Sequence, residues 1–483
     1  MSAERLEHKV VSGVVWSFAE KFLTMLVQMV VSIIVARRLM PEDFGVMAIL
    51  TFFTSVALTI VDSGFSQTLI RKKEPSDEEY RSVLAFNVVV ALALYVVLWA
   101  LATPIAQFYG HPIIAEVAPV LFLLLPINSL CVVQTVMFTR EFRFKLLSNI
   151  VFAASLISGV VAVAMAIAGC GIWALVAQRL LQMGIKAVAF WWIRRWQLRG
   201  GVSLSALGAM APFSLRLLAT DLIASIYNNV AQLFVGKMYS TASLGYYSQA
   251  QKLKDLAVIS TVQSVQGVTY PALSKLAADE RKFADGYERI VRLLSFVLFP
   301  IMLGLVAVAS DMFDVLLGER WMPTVPYFRI LALSGMVYPL AMVGYNVLKI
   351  KSDGRVVVRL EVVKRVVMTL VLCITIPMGI KAVAWGMTAM ALVEFLLNSA
   401  VALRLMSFGV VRLTKALLPS LVLSLAMFVL IEGINPYLEN LVVALRLATD
   451  VVVAVVFYLA LAYAFGLSTL SECLSLVKGV LKK

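Results

Sequence analysis

Long apolar runs, each bounded by charge, Pro or Gly, follow one another from end to end of this chain. They cover residues 12–36, 44–66, 82–106, 114–138, 149–169 and 172–193, then 210–235, 244–270, 293–309, 327–348, 357–377 and 383–403, and finally 416–434 and 447–466. A membrane-crossing helix needs about 20 apolar residues. The pattern therefore predicts an all-α, polytopic membrane protein with fourteen transmembrane helices and short loops. The run 244–270 is the weakest, interrupted by Gln249, Lys252, Lys254 and Asp255. The first helix is unusually polar, with Glu20 and Lys21 inside it and no small-residue cleavage site, and it reads as retained, not as a removable signal peptide. Pro126, Pro300 and Pro339 lie inside apolar runs, where each removes a backbone hydrogen bond and predicts a kink.

Composition narrows the class. Of 483 residues, 61% are hydrophobic and 14% charged, with a mean hydropathy of +0.93, whereas ordinary soluble domains are about 25% charged. A disordered chain, a disulfide scaffold and a cytosolic enzyme are excluded. The net charge of +14 suits a nucleic acid or a membrane, and only its placement decides. With the N-terminus inside, the inner segments hold 29 Lys and Arg, the outer loops 6, and 7 remain within helices. That bias places both termini in the cytoplasm and reads as a membrane orientation signal, with no nucleic-acid partner. Trp191, Trp192 and Trp196 around Arg194 and Arg195 fit an anchor at the inner interface. Cys131, Cys170, Cys373 and Cys473 are scattered, and His8 and His111 lie far apart, so neither a disulfide framework nor a metal or other cofactor is expected.

The chain also repeats itself at an offset near 200. VARRLMPEDFG (35–45) aligns without gaps on VGKMYSTASLG (235–245), matching Val35 to Val235, Arg37 to Lys237 and Gly45 to Gly245. GIWALV (171–176) aligns with GIKAVA (379–384), and Pro126 with Pro339. Two pseudo-symmetric six-helix lobes follow, residues 1–200 and 201–405, with two extra helices and a cytoplasmic tail in 406–483. An even number of helices per lobe gives both the same orientation, as in two-lobed alternating-access transporters.

Twelve of the ionisable groups within the predicted helices count as membrane-embedded: Lys21, Arg179, Lys186, Arg216, Lys252, Lys254 and Arg329, against Asp62, Asp221, Asp255, Glu394 and Asp450. Each costs about 2.5–3.5 kcal/mol at a helix centre, so they must face water or one another. Lys252 and Asp255, three apart, can neutralise each other. Asp62 can be solvated at a helix end, and Arg329 and Asp450 lie near the outer interface. Arg179, Gln182 and Lys186 instead share one helical stripe that needs water or an anion. Glu394 and Asn398 form a second stripe. Under the repeat, Lys21 falls on Asp221 and Lys186 on Glu394, basic in the first half and acidic in the second. Two readings follow: an anion-binding first half with ion-coupling acids in the second, or bridges of opposite charge between the halves. Asp311, Asp314 and Glu319, in an outer loop, read as a solvated face.

VARRLMPEDFGVMA (35–48), VDSGFSQTLIRKKE (61–74), WALVAQ (173–178) and LGYYSQAQKLKDLAVISTVQSVQGVTYPALSKL (244–276) resemble the Wzx-type polysaccharide flippases of the multidrug/oligosaccharidyl-lipid/polysaccharide superfamily, the colanic-acid-exporter branch above all. The resemblance implies a bacterial inner-membrane protein of fourteen helices, with two six-helix lobes around a V-shaped cavity. It implies translocation of undecaprenyl-pyrophosphate-linked oligosaccharide from the cytoplasmic to the periplasmic leaflet, driven by an H⁺ or Na⁺ gradient. Polymerases and glycosyltransferases of polysaccharide assembly would be partners. Related lipid II flippases use an acid on helix 7, which carries over to Asp221; Glu394 rests on the repeat alone. Lys21, Arg179, Lys186 and Arg216 are the candidates for the anionic headgroup, since Lys binds phosphate as a point charge and Arg can chelate two oxygens.

Two rivals make different demands. A drug antiporter of the same superfamily would need an acid-rich first half, and this one is basic. A membrane enzyme of polysaccharide assembly would need paired carboxylates, a metal motif or a large extramembrane domain, and no acid pair stands at catalytic spacing.

Overall fold

A computed structural model describes residues 23–62, 64–193, 201–352, 354–406 and 408–481. These are helical nearly throughout, with no strand among them. Hydrocarbon offers the backbone no partners, so a spanning chain must pair its own N–H and C=O groups. The helices are α1 (residues 23–38), α2 (Pro41–Asp62), α3 (Phe65–Arg71), α4 (Asp77–Tyr109), α5 (Ile113–Leu121), α6 (Leu124–Arg140), α7 (Phe144–Ile167), α8 (Trp173–Ile193) and α9 (Leu204–Met238). They continue as α10 (Thr241–Leu276), α11 (Glu280–Ala307), α12 (Ala309–Leu317), α13 (Val325–Lys351), α14 (Gly354–Thr375), α15 (Ile380–Leu405), α16 (Val410–Ile434), α17 (Val443–Ala464) and α18 (Ser468–Leu481). Ten stretches among the described residues are long and apolar enough to cross a membrane, and the chain is a multi-pass membrane protein. Of the fourteen predicted runs, 172–193, 244–270 and 357–377 form helices too polar to be counted with those ten, and much of 12–36 lies outside the described residues.

Breaks fall where backbone chemistry demands them. Gly64, at φ 68°, separates α2 from α3, a conformation that suits a residue without Cβ. Pro126 has no N–H to offer the Phe122 carbonyl four residues back, and α5 ends one residue before Phe122. Pro300 and Pro339, by contrast, sit inside continuous helices α11 and α13. Over the weakest of the predicted runs, α10 is one continuous helix of 36 residues.

By internal packing the chain divides between Gly245 and Tyr246, within the second turn of α10. In the N-terminal unit, α9 packs against α2, α3 and α4. Leu207 and Met210 of α9 join a buried cluster with Phe65, Leu69, Val83 and Val136. The Thr68 and Ser214 hydroxyls are hydrogen-bonded at 2.7 Å. A Cβ on Gly64 would come within 2.5 Å of the Ser214 carbonyl oxygen, so this turn admits no larger residue. The starts of α2 and α10 meet reciprocally: a Cβ on Gly45 would stand 1.9 Å from the Thr241 carbonyl oxygen, and one on Gly245 would stand 1.9 Å from that of Pro41. Ser76 and Glu79 form a capping box at the start of α4. The Arg140 guanidinium caps α3, donating to the Leu69 and Ile70 carbonyls at 2.8 and 3.0 Å.

In the C-terminal unit, α11 packs on α13 and α16, and α13 on α15. Phe283, Tyr287, Phe299, Leu340, Val347 and Phe395 belong to its buried core. The Tyr458 hydroxyl donates to the Phe296 carbonyl at 2.8 Å. Asp279 caps α11, and the Lys282 backbone N–H, at 3.0 Å, holds its carboxyl below the usual carboxylate range.

Candidate functional site: charged groups within the membrane-spanning helices

The polar stripe on α8 has three different surroundings. Gln182 Nε2 donates to Ser155 Oγ on α7 at 2.7 Å, and Gln28 Nε2 on α1 donates to the same oxygen at 3.3 Å. That hydroxyl ties three helices together and fixes the middle of the stripe. Arg179, almost one turn before Gln182, is exposed. Lys186, one turn after it, is half-buried with its ammonium 5.4 Å from the centre of the Phe190 ring. That distance is within cation–π range, and Phe190 in turn packs on Phe138.

On α9, Arg216 and Asp221 are both exposed. The Arg216 backbone carbonyl accepts from Thr220 Oγ1 at 2.8 Å. The Gly64 turn brings the end of α2 beside α9, and Asp62 lies within electrostatic range of Asp221. Asp62 also accepts a hydrogen bond from Ser66. The pair joins an anticipated candidate to a residue that sequence reasoning set aside as a solvated helix end. Lys21 lies outside the described residues.

In the C-terminal unit, Glu394 on α15 has a partner that sequence reasoning missed. Lys364 of α14 is only 3% exposed, and its ammonium lies 3.4 Å from Glu394 and 2.6 Å from Glu361. Arg365 reaches the other oxygen of Glu361 at 3.6 Å, and the Tyr345 ring lies 5.0 Å from the Lys364 ammonium. Counted as part of a basic inner segment, Lys364 looked like an orientation signal. Its spacing of three from Glu361 inside an apolar run was the available clue. Asn398, one turn beyond Glu394, is fully buried and donates to the Ala341 carbonyl at 3.0 Å, so it serves the α13–α15 contact. Asp255 is bridged to Lys254 at 2.5 Å.

The outer-loop acids also depart from expectation. Asp311 is not on a solvated face: it is buried and makes a two-pronged ion pair with Arg446 of α17. Asp450, one turn along α17, is also buried and within electrostatic range of both. Arg446 is contributed by a distant segment, so spacing could not reveal the pair. Arg446→Met alone should strand the Asp311 charge and cost about 2 kcal/mol, below the fully buried range because both side chains keep some solvent. Arg446→Met with Asp311→Leu should recover most of that loss in thermal unfolding of the purified protein. Among the described residues, no three His, Cys, Asp or Glu side chains are grouped as metal ligands would be.

The profile of the family described as "Polysaccharide biosynthesis protein" matches residues 34–326. The chain is 22% identical to the teichuronic acid biosynthesis protein TuaB of Bacillus subtilis, over 94% of this chain and 95% of that one. It is 25% identical to the succinoglycan biosynthesis transport protein ExoT of Rhizobium meliloti, over 68% and 67%. Among solved structures, the lipid II flippase MurJ in its inward closed conformation superposes with a TM-score of 0.69 at 14% identity, covering 94% of this chain and 99% of that one. The fold is therefore MurJ-like, and relatives and structural neighbours such as ExoT and MurJ are transporters or flippases, not enzymes.

Proposed function

Because the chain belongs to the polysaccharide biosynthesis protein family, we propose that it is a flippase for a lipid-linked glycan. It carries undecaprenyl-pyrophosphate-linked oligosaccharide from the cytoplasmic to the periplasmic leaflet of the bacterial inner membrane by alternating access, coupled to an H⁺ or Na⁺ gradient. In this role it serves exopolysaccharide or O-antigen assembly beside polymerases and glycosyltransferases. The observation that carries this reading is how membrane-embedded charge is distributed. Arg179, Lys186 and Arg216 have no ion-pair partner among the described residues, whereas Glu394 is held by Lys364.

A pyrophosphate stripped of water cannot cross about 30 Å of hydrocarbon without compensating charge. Cations without an internal carboxylate partner supply that charge, and Lys21 adds a fourth. They also argue against a cationic drug as cargo. Asp221, with Asp62 beside it, and Glu394, shared with Lys364, are the ion-coupling acids. Binding of H⁺ or Na⁺ at Glu394 weakens its hold on Lys364, which then relies on Glu361. The reciprocal approach of Pro41–Gly45 and Thr241–Gly245, residues that match at the repeat offset, supports a pseudo-symmetric build of lobes 1–200 and 201–405 followed by 406–483. Both termini lie in the cytoplasm, and four polar spans beyond the ten apolar ones complete fourteen.

The test is translocation of a fluorescent lipid-linked glycan in proteoliposomes under imposed ion gradients. Arg179→Ala with Lys186→Ala should slow transport at least about tenfold, since each hydrogen bond to a charged group contributes about 1.5–3 kcal/mol. Asp221→Asn and Glu394→Gln, made separately, should abolish the response to the gradient. Protein that moves no lipid-linked glycan under either gradient, yet extrudes cationic dyes, is a drug antiporter, and the proposal fails.

A further inference from the structure

Helix α14 has two unlike faces. One, with Leu360, Lys364, Met368 and Leu372, is buried in the C-terminal unit. The opposite face is exposed along its whole length and changes character from end to end. Val362, Val366 and Leu370, between 55% and 58% exposed, form an apolar rail. At its N-terminal end the same stripe carries Arg355 and Arg359, four apart, both exposed and neither with an ion-pair or hydrogen-bond partner among the described residues. Together with Gly354 and Val358 they form an open surface patch.

We propose that this stripe binds an anionic phospholipid, with its phosphate between the two guanidinium groups and an acyl chain along Val362, Val366 and Leu370. The chemistry is complementary from end to end. Arg pairs with phosphate through two parallel hydrogen bonds. The rail takes the chain that the phosphate requires nearby. Lysines close to this end are otherwise engaged: Lys349 lies over Tyr345, and Lys351 over Phe283 with a hydrogen bond to the Ala277 carbonyl. That leaves the two arginines for an external anion. A resident bilayer lipid suits an open apolar rail that begins at two exposed arginines. Retention of lipid is read without transport, so the inference does not depend on the flippase proposal.

Native mass spectrometry of the detergent-purified protein with phosphatidylglycerol and phosphatidylcholine tests it. The unaltered protein should keep phosphatidylglycerol in preference, and Arg355→Gln with Arg359→Gln should reduce that retention about thirtyfold, each of the two basic residues near an anionic surface contributing about 1 kcal/mol. Arg355→Lys with Arg359→Lys should keep most of it. On the unaltered protein alone, retention should fall as salt is raised. Equal retention in the glutamine variant, no preference between the two lipids, or displacement of phosphatidylglycerol by an equimolar amount of undecaprenyl phosphate would each overturn the proposal.

Discussion

Lys364→Met should destabilise the purified protein by about 3–4 kcal/mol, the largest effect expected of any single change of charge in this chain. The ammonium is 3% exposed and lies between two carboxylates, on Glu361 and Glu394. Methionine fills much of the same volume, so the loss comes from leaving two acids facing one another without the cation between them. Breaking a buried pair from one side costs in this range because the remaining charge stays desolvated. Adding Glu394→Gln should return a large part of it, since the amide carries no charge to strand. A double-mutant cycle on thermal unfolding measures this directly, and a coupling energy of about 1–3 kcal/mol is expected for residues in one network. Additive effects of the two substitutions would show that the pair contributes nothing jointly.

Gly45→Ala and Gly245→Ala should each lower stability by about 3 kcal/mol and by nearly the same amount. In each case the added methyl would fall 1.9 Å from a backbone carbonyl oxygen, of Thr241 or of Pro41. A flexible side chain could swing aside, but a helix backbone cannot, so the cost lies at the upper end of the overpacking range. The melting temperature should fall by about 3 °C. Gly208→Ala is the control: it sits in α9 with open space around its Cβ position, and alanine there should be neutral or slightly stabilising. Equal shifts at positions 45 and 208 would mean that the close approach is not what matters.

Much of this was legible in the sequence, and the exceptions share a cause. Membrane helices announce themselves through long apolar runs, and the break before Pro126 follows from local backbone chemistry, whereas the run 44–66 was read straight through the turn at Gly64. Gly45 and Gly245 could be aligned from their flanking residues, though nothing in the letters says that each stands against the other's helix. Gln182 was read as part of a cationic stripe, but its amide is taken up by Ser155 of the preceding helix, a contact between helices that periodicity cannot foresee. Asp311 looked solvated because its partner Arg446 lies far along the chain. Lys364 was hidden by its basic neighbours, which made a buried cation look like one more inner-loop charge. In each case a residue's own surroundings were legible and its distant partner was not.

The boundary within the second turn of α10 also bears on how the protein is made. The N-terminal unit includes α9, whose Leu207 and Met210 complete the cluster around Phe65 and Leu69. At ribosomal speeds of about 5–20 residues per second, the chain from α8 to that boundary takes on the order of several seconds to emerge. For that interval Phe65, Leu69 and Val136 have no α9 to cover them, and the turn at Gly64 has no Ser214 to rest on. The first eight helices therefore wait in the membrane, or with the insertion machinery, as an unfinished body. Final packing of the first half of the protein is timed by the arrival of its ninth helix.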